Sequence, residues 1–282
     1  NSGFLCVDNG WTESRDSAGF VAGWLGTALT LGRLPSAVAW GWLSDRVGRR
    51  PTMLASFFFI GLGNVLFGLS KSLKTAVLVR FVVLGTLNGW TSLFPSVLNE
   101  IAGSELQNDV SALVLASGAA TQLVGPAAAA LLYGRGFSEY KALAPSLLGA
   151  GFAFLAFAAG FAWLPETNAA LTTKNKDSVV QQKVEVHQHS LRGNSVFRVG
   201  VLMRVLVGLA LFAVFDTLPL WAIASKRSGG LELDKNQLAM LLSIAAVAQF
   251  FYVTTCMARS MRPLGNRRSF QLATGISGLA VA

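Results

Sequence analysis

Residues 41–51 read GWLSDRVGRRP and form a short charged segment between two long apolar stretches. Its charged residues are Asp45, Arg46, Arg49 and Arg50. Charged side chains are costly near hydrocarbon, and Gly41, Gly48 and Pro51 each disfavour a continuous helix. The segment therefore predicts a break between two helices, and its purpose depends on the class of protein that surrounds it.

The composition indicates a membrane protein. The chain has 282 residues, of which 52% are hydrophobic and only 13% are charged, whereas soluble domains average about 25% charged residues. Seven apolar runs are each close to the ~20 residues that a helix needs to cross ~30 Å of hydrocarbon. The runs are 18–42, 52–70, 76–98, 110–133, 143–164, 199–224 and 237–257, and an eighth begins at 269. The sequence predicts an all-α, multi-pass integral membrane protein.

Several other classes are not supported by the sequence. The net charge of +9 arises from basic residues in the loops between spans, without the zinc-finger spacing or aromatic and basic strip of a nucleic-acid-binding protein. His187 and His189 have no further clustered ligands, so no metal site is predicted. Cys6 and Cys256 are too few for a disulfide framework. Because no phosphate-binding lysine loop, HExxH motif or nucleophile elbow occurs, neither an enzyme nor a cofactor is predicted.

A polar segment divides the chain into two blocks. Residues 165–198 are rich in Lys, Gln, Asn and Ser and cannot bury enough apolar surface to fold alone, which predicts a linker. The domains are therefore a front block over 1–164, the linker, and a rear block over 199–282. The alternate loops that include 41–51 and the linker hold twelve Lys and Arg residues against eight in the other loops, which places them in the cytoplasm.

Residues 41–54 resemble a known loop signature. Their pattern is Gly41-x-Leu43-x-Asp45-Arg46-x-Gly48-Arg49-Arg50-x-x-x-Leu54. It resembles the signature that the major facilitator superfamily carries between its second and third transmembrane helices. A loop that only fixes membrane topology would explain the arginines, but neither the glycines nor the aspartate. The resemblance implies a fold of two helical halves with twelve helices in the complete family member.

The resemblance also sets the helix numbering. The run 18–42 becomes helix two and 143–164 becomes helix six, so the front block holds a remnant of helix one and helices two to six. The rear block then holds helices seven and eight and part of a ninth. The chain is expected to be a piece of a longer protein, cut at both ends.

For the loop itself, the resemblance implies a latch that holds the two halves together on one face. Gly41 would allow close helix approach. Asp45 would lie at the positive N-terminal end of a helix in the opposite half. The arginines would pair with carboxylates of the next cytoplasmic loop, Glu100 or Glu105. A latch that forms on one face and opens on the other is suited to alternating access.

Further segments agree with this family. The segment from Arg80 to Gly89 resembles its fourth-helix motif, whose arginine is linked to proton movement in proton-coupled members. Gly125 and Pro126 resemble the helix-kink motif of antiporters, although alanines follow where glycines are usual. The end of the run at 164–167, LPET, resembles the common end of helix six. The segments WGWLSDRVGRR, PLWA and GGL resemble the zinc-induced-facilitator-like and tetracycline-resistance branches.

Polar residues inside spans are candidates for a proton or substrate pathway, because buried charge in a membrane usually faces an internal cavity. The candidates are Arg33, Arg80, Asp216 and Gln249. The two arginines could instead reach the membrane surface through their long side chains, and Gln249 could hydrogen-bond to a neighbouring helix. Asp216 is too short to reach the surface from its position in the span.

The prediction is a monomeric secondary transporter in a plasma or organellar bilayer. It would move a small solute, with protons, by export or antiport. The alternatives are an uncoupled facilitator of sugars or other nutrients, a seven-helix receptor, and a truncated product without function. The loop signature at 41–54 disfavours the alternative of a seven-helix receptor.

Overall fold

The structure, a computed structural model, describes residues 2–12, 15–167, 202, 218–252 and 255. Helices are the regular structure of these residues, which contain no strand. The helices are α1 (Ser2–Asp8), α2 (Arg15–Val47), α3 (Arg49–Gly68), α4 (Leu73–Val79), α5 (Trp90–Leu132), α6 (Leu143–Trp163) and α7 (Lys235–Phe251). A π-helix (Arg80–Thr86) follows α4, and a short 3-10 helix (Lys226–Ser228) precedes α7. The predicted all-α class is confirmed.

Four helical segments of the described residues are long and apolar enough to cross a membrane: Arg49–Gly68, Leu73–Leu98, Leu113–Leu132 and Leu143–Trp163. They coincide with four of the predicted runs. Although α2 is longer, it is not among them, because its glycines, threonines and Arg33 lower its hydropathy. The apolar part of α7 is shorter, and most of the run 199–224 lies outside the described residues.

The helices pack in pairs around small apolar clusters. The closest associations are α3 with α6, α2 with the π-helix, and α5 with α7. One cluster includes Cys6, Leu25 and Ala76 and joins α1, α2 and α4. A second includes Trp40 and Leu93 and joins α2, α3 and α5. Large apolar side chains also cover the outside of the helices, as expected of a surface that faces lipid.

The connection between α2 and α3 is a single residue. α2 continues through Gly41 to Val47, and α3 begins at Arg49. Pro51 lies in the first turn of α3, where a backbone N–H would have no partner in the helix, so it does not end the helix. Only Gly48 interrupts the chain, with φ 116° and ψ 156°, a conformation that favours glycine. The expectation that Gly41 and Pro51 also break the helix is therefore wrong.

The predicted span 76–98 is interrupted in its middle. The π-helix over Arg80–Thr86 ends in a non-helical turn before α5 begins at Trp90. Two side chains from neighbouring helices satisfy backbone groups at this turn. Trp40 Nε1 donates to the Thr86 carbonyl at 2.9 Å, and the Gly89 N–H donates to Ser56 Oγ at 3.1 Å. Such partners are needed because no water is present at membrane depth.

A glycine contact brings α2 and the π-helix together. A Cβ atom placed on Gly32 would collide with the Phe81 carbonyl and would lie 3.0 Å from Gly85 Cα. The two backbones therefore touch, a form of packing that only small residues permit. Sequence reasoning gave this role to Gly41, but a Cβ on Gly41 would meet no atom within 4 Å.

The segment 99–109, predicted as the loop between the fourth and fifth spans, is helical and lies within α5, where it separates the apolar segments Leu73–Leu98 and Leu113–Leu132. This segment contains several strong helix formers and a single glycine, so little in it interrupts a helix. The chain nevertheless reverses direction within α5. Glu100 contacts Arg49 at the first residue of α3, whereas Tyr133, just after α5, lines a cavity with Phe67 near the last residue of α3.

Candidate functional site

Arg49 is the centre of an ionic network at the end of the bundle that carries residues 41–51, here called the motif end. Arg49 Nη1 lies 2.9 Å from Asp45 Oδ1, and Nη2 lies 2.9 Å from Glu100 Oε1. Arg49 also donates to the Ser44 hydroxyl, and the Thr167 hydroxyl donates to Glu100 Oε2 at 2.8 Å. The Arg49 side chain is only 16% exposed. It therefore ties α2 to α5 through charge-assisted hydrogen bonds.

Glu166 caps the first turn of α3 from the segment that follows α6. Its Oε1 accepts from the Arg49 backbone N–H at 2.8 Å and its Oε2 accepts from the Arg50 N–H at 3.2 Å. These N–H groups have no partner within the helix, and the helix dipole favours a negative charge there. Sequence reasoning placed Asp45 at a helix N-terminus of the opposite half. Among the described residues this kind of contact is made by Glu166, while Asp45 pairs with Arg49.

Among the described residues, the other two arginines of the segment contact aromatic residues and backbone. The Arg46 guanidinium lies 4.0 Å from the Trp42 ring centroid. Arg50 Nη2 donates to the Phe161 carbonyl at 2.6 Å. The side chain of Glu105 lies outside the described residues. The motif end thus links α2, α3, α5 and the residues after α6 into one unit.

Replacing Glu166 with alanine should destabilise the protein by about 1–2 kcal/mol, because two N–H groups lose their partner at a helix N-terminus. Thermal unfolding of the purified chain in detergent measures the effect. Glu166→Gln, which keeps one side-chain oxygen, should lose less stability. Glu139→Ala, which removes an exposed carboxylate far along the chain, is the control. A melting temperature for Glu166→Ala equal to that of the control would show that the cap is not important.

Each of the two elements that meet at the Gly32–Gly85 contact carries an arginine. Arg33 is on α2, and Arg80 is the first residue of the π-helix; both are partly buried. Arg80 Nη1 lies 3.5 Å from the Leu25 carbonyl. The Nε atom of each arginine is buried without a hydrogen-bond partner among the described residues.

The opposite end of the bundle carries a separate group of ion pairs. The Tyr133 hydroxyl donates to Asp8 Oδ2 at 2.9 Å, and Lys141 Nζ lies 3.6 Å from Asp8 Oδ1. Lys71 donates to Glu139 at 2.8 Å, and this hydrogen bond lowers the pKa of the Glu139 carboxyl and raises the pKa of Lys71. Both partners of the second pair are exposed, so solvent screens it and it contributes little to stability.

The remaining candidates are Gln249, Gly125, Pro126 and Asp216. Gln249 is partly buried on α7. Gly125 and Pro126 lie inside α5, which continues past them, and a Cβ on Gly125 would meet no atom within 4 Å. The kink expected there stays a prediction. Asp216 lies outside the described residues.

The sequence matches one known protein family over nearly its whole length. The sequence model of the Major Facilitator Superfamily matches residues 8–282. The chain belongs to the major facilitator superfamily. It is accordingly an integral, multi-pass membrane protein, and the alternative of a seven-helix receptor is wrong. Members of the superfamily are transporters rather than enzymes.

Relatives in plants lie in the branch expected from the sequence. The chain is 25% identical to the protein zinc induced facilitator 1 of Arabidopsis thaliana, and the match covers 99% of this chain and 66% of that protein. It is 26% identical to zinc induced facilitator-like 1 of the same organism, across 93% and 59%. It is 27% identical to a "Probable peptide/nitrate transporter" of Arabidopsis thaliana, across 86% and 55%. The chain thus spans about 55% to 66% of these curated relatives. No solved structure matches it with significance.

Proposed function

We propose that the complete protein is a secondary active transporter of a small solute, which works by alternating access and is coupled to protons as an exporter or antiporter. The observation that carries this proposal is the motif-end network, in which Arg49 joins α2 to α5 while Glu166 holds the start of α3. A group of helices joined in this way can move as one rigid half.

The network also offers a contact for the second half. Asp45 is held by Arg49, yet its side chain is 66% exposed. In the complete protein we propose that this carboxylate meets a helix N-terminus of the second half when the motif end is closed. Such a contact is worth about 0.3–1 kcal/mol at an exposed site, which is small enough to be broken in each transport cycle.

Protons or solute would follow polar residues inside the spans. We propose Arg33, Arg80, Asp216 and Gln249 for this pathway, because charged or amide side chains at membrane depth normally face a cavity. Asp216 is the candidate for exchange, since a carboxylate inside a span can hold either a proton or a cationic solute. Pro219 follows it closely and would free a backbone carbonyl in the same turn.

The relatives support transport more strongly than they support any one solute. Their names refer to peptide and nitrate transport and to zinc induction, so the proposal is confined to a small solute. We further propose that the protein acts as a monomer in a plasma or organellar bilayer, and that residues 41–51 and 165–198 face the cytoplasm.

Asp216→Asn should insert into the membrane normally and lose pH-driven transport, because asparagine cannot take up and release a proton. The measurement is the movement of protons into proteoliposomes that contain the full-length protein, on addition of small organic cations or carboxylates under an imposed pH gradient. Glu232→Gln, at an exposed position of the same block, is the matched control and should behave as wild type.

The outcomes separate the alternatives. If the wild-type protein moves solute at a rate that does not depend on the pH gradient, the uncoupled facilitator is favoured. If Asp216→Asn keeps the wild-type transport rate and pH dependence, the role of Asp216 is structural only. If the full-length protein moves no solute from either group, the proposal of transport loses its support.

A further inference from the structure

A cavity of about 220 Å³ lies inside the front block, away from the motif end. Its lining includes residues of α3, the π-helix, α5 and α6, which all belong to one half. Polar groups from three of these elements line it: Asn64, Arg80 and Ser146. Phe67 and Ala129 provide apolar surface.

Arg80 brings a positive charge to this cavity, and no carboxylate of the described residues forms an ion pair with it. Its guanidinium lies 4.6 Å from the Phe67 ring centroid and makes one long contact, of 3.5 Å, to the Leu25 carbonyl. Its buried Nε has no hydrogen-bond partner in the described part of the chain. The described residues that line the cavity include neither Asp nor Glu.

An acidic residue at the same end of the bundle, Asp8, already has partners. It accepts from the hydroxyl of Tyr133, a residue that lines the cavity, and it pairs with Lys141. A buried cation without a counter-charge is unfavourable, and an anion beside it removes much of this penalty. The charge of Arg80 and the space next to it therefore point to a negatively charged ligand.

We propose that the cavity binds a small monocarboxylate. The planar guanidinium fork of Arg80 matches the two oxygens of a carboxylate, which a spherical ion cannot use in the same way. Ser146 and Asn64 would supply further donors, although the Asn64 amide also donates to the Ile60 carbonyl at 2.9 Å. The short apolar tail of the ligand would contact Phe67.

The volume limits the size of this ligand. The cavity is smaller than the ~300–1,000 Å³ typical of drug-sized ligands, yet a cavity of ~150 Å³ can hold benzene. An acid of about six heavy atoms, such as butyrate, is therefore a suitable probe. This inference deepens the proposed function, since Arg80 is part of the proposed pathway, but binding at this site does not require that transport occurs.

The test is a titration of the purified chain in detergent with butyrate, followed by calorimetry. Saturable binding of butyrate is expected, whereas n-butylammonium, of similar size and opposite charge, should not bind. Arg80→Gln should weaken butyrate binding by about tenfold or more.

Because this variant changes a buried charge and could fail to fold, Ala129→Leu provides a second test. It fills the cavity and leaves Arg80 in place. Leu131→Phe, at an exposed position of the same helix, is the control.

Unchanged butyrate affinity in both Arg80→Gln and Ala129→Leu would overturn the proposal. Binding of chloride with the same dependence on Arg80, but no binding of butyrate, would also overturn it and indicate an inorganic anion site. Butyrate binding together with an absence of transport by the full-length protein would support this site while the proposed function failed. Transport without butyrate binding would leave the proposed function standing and refute the site.

Discussion

Gly32→Leu is expected to prevent the front block from reaching a stable folded state. A side chain at this position would collide with the Phe81 carbonyl and press on Gly85 Cα, which lies 3.0 Å from the Cβ position. Both obstacles are backbone atoms, so they cannot move aside without separating α2 from the π-helix. Overpacking of this kind destabilises a folded protein by about 1–3 kcal/mol and occasionally more. A large effect is expected here because the leucine side chain is larger than the available space by several atoms.

Thermal unfolding and size-exclusion profiles in detergent measure this effect. Gly32→Ala should show a smaller loss of melting temperature, whereas the leucine variant should lose its monodisperse peak. Gly26→Ala is the matched control on α2, since a Cβ there meets no atom within 4 Å. Alanine should leave the control unchanged or stabilise it by up to ~1 kcal/mol through helix propensity. Equal melting temperatures for the alanine variants at 26 and 32 would contradict the glycine contact.

Asp45→Ala should reduce transport by the full-length protein about tenfold or more, if the closed state depends on this carboxylate. The fold itself should remain, because the Asp45 side chain is 66% exposed and exposed ion pairs contribute about 0–1 kcal/mol. Membrane expression should therefore stay near the wild-type level. Initial rates in proteoliposomes, divided by the amount of inserted protein, measure the change.

Glu139→Ala is the matched control for Asp45, because it also removes an exposed carboxylate from an ion pair, but at the opposite end of the bundle. Its transport rate should equal that of the wild type. Asp45→Glu keeps the charge and should recover part of the activity. Arg49→Ala should lower expression as well as transport, because the Arg49 side chain is 16% exposed and holds two carboxylates. An Asp45→Ala rate no lower than that of Glu139→Ala would refute the proposed gate.

The family and the membrane class could be predicted from the sequence, because both depend on local patterns. A run of apolar residues near 76–98 or 143–164 predicts a span whichever helix it contacts. The spacing of Gly41, Asp45 and Gly48 identifies the loop because the signature is contiguous in the chain. Agreement of four spans with the described helices follows from the same locality.

Details of helix continuity were harder to predict. Glycine and proline both disfavour a helix in 41–51, but proline in a first helical turn lacks only an N–H that has no partner there. In the fourth span, nothing in the local sequence indicates a π-helix. The break that follows it is stabilised by Trp40 and Ser56 from other helices, so it depends on contacts that the local sequence does not contain.

The sequence by itself determined that this is an all-α membrane chain of the major facilitator superfamily, and which segment carries its loop signature. Tertiary structure decided which residues meet. Glu166 caps α3 although 116 residues separate it from Arg50, and Gly32 rather than Gly41 touches another helix. The reason is physical: hydrophobicity acts on each segment separately, whereas these contacts require a specific rotation and depth of two helices packed against each other.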